Sequence, residues 1–592
     1  MKKLQEEEQQ LLFDYDGPSD SSSIAAVDFS GTIEKSGDES ASFERAMHLA
    51  GHGRYHVSLM LVCGLISIAT GFQNSLSAYI LPAAQCDLDL TSTEMGLLNA
   101  AIPLGGTLSA MLWGVVADAT GRRHIMIWCL LIDGIVTLLS SLSQNFPILF
   151  ILRFINGFVI GGPSTVIVSF LGEFHPEKTR ATAICYLGMF WTISGIVLPG
   201  FAWIIIPLEF NVVVCGLVFN SWRLFVGILG IPSLVSAFLI SKYPESPKFL
   251  ISQGKHKKAL QILREVFASN TGMQAHQYPV AVLTYDHHKS NDECNSIKAT
   301  VSKMSEQLHQ VFAPPLLKYT ALISFIMFTN MFGGLGLGLW FPELFNRFEA
   351  YYKSHPNQTI TVCELAHLRE ENLGLTNLQS VGHVHISSNF TSQIISIASN
   401  LTSISVDDTF EKCDSFVDDK VFINTIIMGL SCLLGNFASI LLAGRLDRRI
   451  MPIATGVISG IAGVLIYFLR SSTQNLIVAC LFSSLSSTAN VVICSVIVDV
   501  FPTNVNSMAM CAATLAGRFG AIISNLLFGL LFKTSCEIPI FLIGGLVTCG
   551  GILGIYLPKN LVDVPEKNRR SFPIPQKNLP EDMEKQMFNP AG

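Results

Sequence analysis

The chain has 592 residues, half of them hydrophobic and only 14% charged, with a formal net charge of −6. Its mean hydropathy is +0.46. A soluble surface of this extent needs roughly 25% charged residues, so a water-facing exterior is excluded and a lipid-facing one is implied. The small net charge singles out no partner, and no nucleic-acid ligand is expected. The 14 cysteines lie in apolar runs without metal-ligand spacing and read as small core residues.

Residues 1–55 are polar, rich in Glu and Ser, and read as a disordered cytoplasmic tail without a cleaved signal peptide. Within it, Glu7 followed by Leu11-Leu12 resembles an acidic dileucine signal for vesicle coat adaptors. Runs of about 20 apolar residues mark membrane helices. They fall at 57–80, 95–117, 124–142, 148–171, 182–206 and 223–241, then at 319–340, 420–444, 450–469, 475–500, 509–533 and 537–557. The organisation expected is an N-terminal six-helix bundle over 56–241, a cytoplasmic linker 242–318, and a C-terminal bundle over 319–557. A luminal loop, 341–419, interrupts the second bundle, and 558–592 form a second cytoplasmic tail.

Orientation follows from Lys and Arg in the short loops. One side holds Arg122, Arg123, Lys178, Arg180, Arg445, Arg448 and Arg449. The loops Leu81–Thr93, Ser143–Phe146 and Pro207–Trp222 on the other side hold none. The Arg122 side is therefore expected inside. The sequons at Asn357, Asn389 and Asn400 all fall in 341–419, on the opposite side, as glycosylation requires. Cys363 and Cys413 in that loop are a plausible disulfide pair in an oxidising lumen.

Between the second and third runs the chain reads Gly114-Val-Val-Ala-Asp118-Ala-Thr-Gly121-Arg122-Arg123. This Gly-x-x-x-Asp-x-x-Gly-Arg-Arg turn resembles the signature loop of the major facilitator superfamily. Gly444-Arg-Leu-Asp447-Arg-Arg449 echoes it after span 8, as a parallel repeat of two six-span halves would. Arg153-x-x-x-Gly157-x-x-x-Gly161 in span 4 and Pro244-Glu-Ser-Pro247-Lys-Phe-Leu250 after span 6 resemble the sugar and organic-ion branches. Met189-Phe-Trp191, Leu339-Trp340-Phe-Pro-Glu343 and the large glycosylated loop resemble the synaptic vesicle glycoprotein 2 family. That resemblance implies a small pentapeptide-type β-helix in the loop. Two departures stand out. Thr70-Gly71-Phe-Gln73 replaces the family's acidic pair in span 1, and Asn490-Val491 stands where Trp-Asn is common in span 10.

No catalytic constellation, cofactor motif or metal set is read. His287-His288 lacks zinc-spaced partners, and Gly333–Gly338 lacks the Lys-Ser/Thr of a phosphate loop. Two ionisable groups lie deep in spans, Asp133 and Arg518. A charge there faces a cavity or a partner, so Arg518 reads as pocket-lining or as half of an internal pair with Asp133. Gln73, Asn74, Trp191, Asn330, Trp340 and Asn490 are candidates for the same pocket. The resemblance implies a gate of Gly114, Asp118, Gly121, Arg122, Arg123, Glu173, Arg180 and Glu245. In it Asp118 faces the start of span 11 at Asn506-Ser507, Arg122 and Arg123 bridge to Glu173 or to the phosphates, and Arg180 reaches Glu245. The fold expected is an all-α polytopic membrane protein of twelve spans in two bundles. Two functions follow: a secondary transporter of a small organic or ionic solute in vesicle or plasma membrane, or a non-transporting membrane protein that keeps the fold for interaction or trafficking. Fold alone does not separate them.

Overall fold

The computed structural model describes residues 39–284, 305–365, 418–443 and 450–557, apart from 209, 215, 315, 356–359, 502–504 and 532–534. Among the described residues, eleven helices are long and apolar enough to cross a membrane, and Ser92–Thr120, bent near Ser109, makes up to twelve. In chain order the spans are α1 (Arg54–Asp87), α2 (Ser92–Thr120), α3 (Arg122–Ser140), α4 (Phe146–Gly172), α5 (Glu177–Ile205) and α6 (Ser221–Ile240). The second set is α7 (Leu316–Gly338), α8 (Asp419–Ala443), α9 (Ile450–Leu465), α10 (Ser472–Val500), α11 (Asn506–Leu531) and α12 (Glu537–Leu553).

Local chemistry sets the helix ends. Thr91 and Glu94 form a reciprocal capping box at the start of α2. The Asn145 side chain caps α4, just before Pro147 in the first turn. Between α2 and α3 the chain turns at Gly121, whose φ of +108° disfavours any side chain. A Cβ there would also collide with the Glu245 carboxylate. Small residues let the spans pack backbone to backbone. Gly157 of α4 lies on the Ile102 carbonyl of α2, and Gly456 of α9 lies on Gly551 of α12.

The buried apolar residues form three clusters, and their placement describes the molecule. On the side away from Arg122 one cluster is shared by both bundles, joining Leu76, Tyr79, Leu198 and Trp222 to Phe332, Trp340, Phe422 and Phe528. On the Arg122 side there are two separate clusters. One holds N-terminal residues only, including Met126, Phe170, Phe174 and Leu263. The other holds C-terminal residues only, including Met327, Ile497, Phe501 and Met508. The bundles are thus fused on the far side and carry independent cores on the Arg122 side.

Two regions differ from the sequence expectation. Residues 39–55, read as tail, are folded: strand β1 (Glu39–Ser42) pairs in parallel with β4 (Val280–Thr284), and a short helix follows at Phe43–Leu49. Ala41, Ala46 and Met47 are buried, an apolar signal too short to register as an element. In the linker, the amphipathic helix that the family resemblance implies from near Gly254 is formed over His256–Thr271, and its apolar face with Leu260, Leu263 and Val266 joins the N-terminal cluster. Past α7, the helix Phe341–Ser354 continues into the segment read as loop. Strands β2 (Asn211–Val214) and β3 (Leu217–Asn220) form a hairpin between α5 and α6.

Candidate functional site

The Gly114–Arg123 turn builds a compact ionic cluster. Arg122 meets Asp118 at 2.9 Å and Glu173 at 3.1 Å, with the Arg122 and Glu173 side chains only 15% and 12% exposed. The guanidinium also sits 5.1 Å from the Phe249 ring centroid. Burial raises the Glu173 carboxyl above its ordinary range, and Arg122 pulls it back down. Glu245 accepts from the Arg123 backbone N–H at 3.1 Å and from Ser246 N–H at 3.0 Å, so it caps the start of α3. All these groups belong to the N-terminal bundle and its linker.

The expected Arg180–Glu245 bridge is not formed. Arg180 donates to the Gly172 carbonyl at 3.0 Å and pairs with Glu44 at 3.3 Å. Glu245 is held at the head of α3, and Glu44 arrives on the folded segment that the sequence offered as tail. Asp118 is 54% exposed on its side chain, with Arg122 as its ion-pair partner.

At mid-depth the two bundles each hold a polar core of different character. In the N-terminal bundle, Arg153 donates to Gln73 Oε1 at 2.8 Å and to the Gln73 carbonyl at 2.7 Å. Gln73 donates to Thr137 at 2.9 Å, and Asn156 donates to Thr137 at 3.0 Å and to Asp133 Oδ1 at 2.9 Å. Ser233 completes the chain by donating to Asp133 Oδ2 at 2.7 Å. Every side chain in this relay is fully buried. In the C-terminal bundle the corresponding groups are neutral: Asn330 donates to the Ser486 carbonyl at 3.3 Å, and Ser486 donates back to Asn330 Oδ1 at 3.3 Å.

Polar contacts also cross between the bundles. The Arg518 guanidinium of α11 donates to the Gly106 carbonyl of α2. Asn436 of α8 donates to Thr192 of α5 at 3.0 Å and to Ser487 of α10 at 3.2 Å. Nearer the far side, the Trp203 indole donates to Asp419 at 3.1 Å, and a Cβ on Gly429 would lie 2.6 Å from the Gly195 carbonyl. Gly96 and Gly529 meet in the same way across α2 and α11.

The predicted pocket residues therefore separate. Arg518 lies at the bundle interface. Asn74 is half-buried and donates to the Thr70 carbonyl at 2.8 Å, while Trp191 is 41% exposed beside Thr192. Asn490 is half-buried on α10, and its carbonyl oxygen has no hydrogen-bond partner. Gln73 and Trp340 do not line an open cavity. Gln73 is locked by Arg153, and Trp340 is fully buried 5.0 Å from the Phe528 ring. The proposed Arg518–Asp133 pair is absent, because Asp133 is occupied by Asn156 and Ser233 inside the N-terminal bundle. Reading by depth along the span passed over Arg153, which entered only as the first position of the Arg153-x-x-x-Gly157-x-x-x-Gly161 motif. Asn436 and Thr192 carried no sequence signal.

Cys363 pairs with Cys536, not with Cys413, tying the segment after α7 to the start of α12. Two loops distant in sequence meet there only because the C-terminal bundle closes. Cys413, Asn357, Asn389, Asn400, Glu7, Leu11, Leu12 and His287-His288 lie outside the described residues, as does the echo at 444–449.

The Major Facilitator Superfamily profile matches residues 63–353. Synaptic vesicle glycoprotein 2C of Mus musculus is 26% identical, covering 88% of this chain and 81% of its own. Synaptic vesicle glycoprotein 2A of Rattus norvegicus is 24% identical, covering 87% and 79%. Among solved structures, the inward-open xylose transporter XylE from E. coli superposes with a TM-score of 0.59 at 14% identity, over 87% of this chain and 99% of that one. Its partially occluded inward-open form gives 0.58 at 15% identity.

Proposed function

As the chain is a divergent member of the major facilitator superfamily resembling the synaptic vesicle glycoprotein 2 proteins, we propose that it is a secondary transporter of a small organic or ionic solute. It works by alternating access in a vesicle or plasma membrane. One observation carries the reading: a single core shared by both bundles on the far side, against two separate cores on the Arg122 side. Two rigid bodies hinged at one end are what a rocking carrier requires.

The pocket of this reading lies where the bundles meet at mid-depth, among Arg518, Asn436, Thr192, Trp191, Asn74 and Asn490. Arg518 and Asn436 reach across the interface, so a solute displacing their contacts couples its binding to the motion. The Asp118–Arg122–Glu173 cluster is the cytoplasmic gate. Formed within one bundle here, it presents Asp118 half-exposed for the start of α11 when the bundles close on that side. The segment 341–419 is luminal and glycosylated at Asn357, Asn389 and Asn400, and coat adaptors read the dileucine Leu11-Leu12. The protein is a carrier rather than an enzyme and uses no cofactor for transport.

Uptake of labelled sugars, organic cations, organic anions and amino acids into proteoliposomes, with and without a pH gradient, tests the proposal. Saturable uptake of one class, lost in Arg518→Ala, is expected. No saturable uptake of any class under either condition would leave the fold as a trafficking or interaction scaffold.

A further inference from the structure

Three imidazoles meet at the Arg122-side end of the N-terminal bundle, where His175 follows Glu173 by two residues. His52 lies in the bend just before α1 and His56 in its first turn, and His175 lies in the turn between α4 and α5. Their ring centroids are 4.5 Å (His52–His56), 4.9 Å (His56–His175) and 5.6 Å (His52–His175) apart. One ring nitrogen from each lies within 4.8 Å of the others. His56 and His175 are each 2% exposed, while His52 is open to solvent.

The hydrogen bonds fix which nitrogens are available. A backbone carbonyl only accepts, so the ring nitrogen facing it must carry the proton. His56 Nε2 donates to the Phe174 carbonyl at 2.9 Å, and His175 Nδ1 donates to the Leu171 carbonyl at 2.9 Å. That leaves lone pairs on His56 Nδ1 and His175 Nε2. A carbonyl holding the far nitrogen is how proteins orient a metal-binding histidine. His56 Nδ1 accepts from the Asn270 amide at 3.2 Å, and that amide also serves the Ala50 and Gly51 carbonyls at 3.2 and 2.9 Å. Asn270 can therefore release His56 without losing its other partners. The nearby cation Arg180 is balanced by Glu44 at 3.3 Å.

We infer that His52, His56 and His175 form a binding site for a divalent transition metal of the zinc class. Imidazole donors suit zinc, at Zn–N distances of about 2.0–2.1 Å. Drawing three nitrogens to that distance requires them to close by about an ångström. The exposed His52, set between Gly51 and Gly53, is the one free to move. A fourth position stays open to water on its side. The bound ion would staple the entry of α1 to the α4–α5 turn, and the Asn270 contacts extend that staple to the helix His256–Thr271.

The full-length protein in detergent micelles, titrated with Zn²⁺ against a chromophoric chelator, tests the site. The wild type should bind one more equivalent than His175→Asn. His52→Ala, which removes only an exposed ring, should weaken that equivalent tenfold or more. His52→Cys should restore binding and shift preference toward Cd²⁺, a gain that misfolding cannot produce. X-ray absorption of the one-equivalent complex should show nitrogen and oxygen ligands only. Equal stoichiometry and affinity in wild type, His52→Ala and His175→Asn would overturn the site. A sulfur ligand at about 2.3 Å would place the zinc on cysteine elsewhere in the chain and overturn it equally.

Discussion

The two ends of the interface between the bundles are built by different rules. On the far side, Gly96 meets Gly529, Gly195 meets Gly429, and Trp203 reaches Asp419, all on the margin of one continuous apolar core. On the Arg122 side the cores are separate, and the strongest charges pair within the N-terminal bundle: Arg122 with Asp118 and Glu173, and Arg180 with Glu44. Close backbone approach holds one end, while the other depends on charges that can change partners. Dispersion between small residues falls steeply with separation, so the far side opens as a unit or not at all. Ion pairs near water cost little to exchange, which suits the end that must open and close repeatedly.

The largest effect that would break this contrast comes from filling the far seam. Gly429→Leu places a side chain against the Gly195 backbone and should reduce solute uptake more than tenfold. Gly188→Ala on α5, where a Cβ meets nothing within 4 Å, should leave uptake near wild type. Equal losses in both would mean that the seam is not special. Next come the two bundle cores. Arg153→Leu leaves Gln73 and Asp133 without their buried cation and should cost about 3–5 kcal/mol, read as a large fall in Tm. Asn330→Ala breaks only neutral bonds in the C-terminal bundle and should cost about 1–3 kcal/mol. A reversal of that order would show that the N-terminal relay is not a charged core.

Smaller changes sharpen the gate. Arg122→Ala leaves the mostly buried Glu173 carboxylate without its cation and should cost about 1–3 kcal/mol. It should also shift labelling of cysteines introduced into the inward cavity. Unchanged labelling would remove the cluster from the gate. The smallest effect is on pH dependence. Because the Glu173 pKa is raised above its unfolded value of 4.5, the folded state binds its proton more tightly. Its contribution is fully present below pH 4.5 and is lost as pH rises through the folded pKa. Glu173→Gln should flatten that part of the Tm–pH curve. An identical curve would assign the slope to another group.

The sequence made the spans legible because bilayer crossing leaves a long, one-dimensional apolar signal, and all twelve predicted runs coincide with helices. The Arg122–Glu173 contact was legible for a similar reason, since its residues occupy fixed turns of the motif. What could not be read are contacts made by closure in three dimensions. Cys363 finds Cys536 across 173 residues, and Arg180 finds Glu44 through a short folded segment whose apolar signal is little more than Ala41, Ala46 and Met47. Gln73 looked like a pocket residue because a polar side chain in a span suggests a cavity. Its actual partner, Arg153, was read as part of a glycine motif. Asn436 and Thr192 were invisible, because nothing in a single helix shows which face meets another bundle.

Paired spin-label distances across the seam test the central claim most directly. One pair replaces Trp203 and Asp419 on the far side. The other replaces Gly188 and Leu441, toward the Arg122 side on the same two helices, in a chain whose exposed Cys185, Cys511 and Cys549 are serine. The account predicts a short, narrow distance for the first pair and a longer, broader one for the second, with the two moving in opposite senses when solute binds. Distances that are equally short and unresponsive at both ends would contradict it.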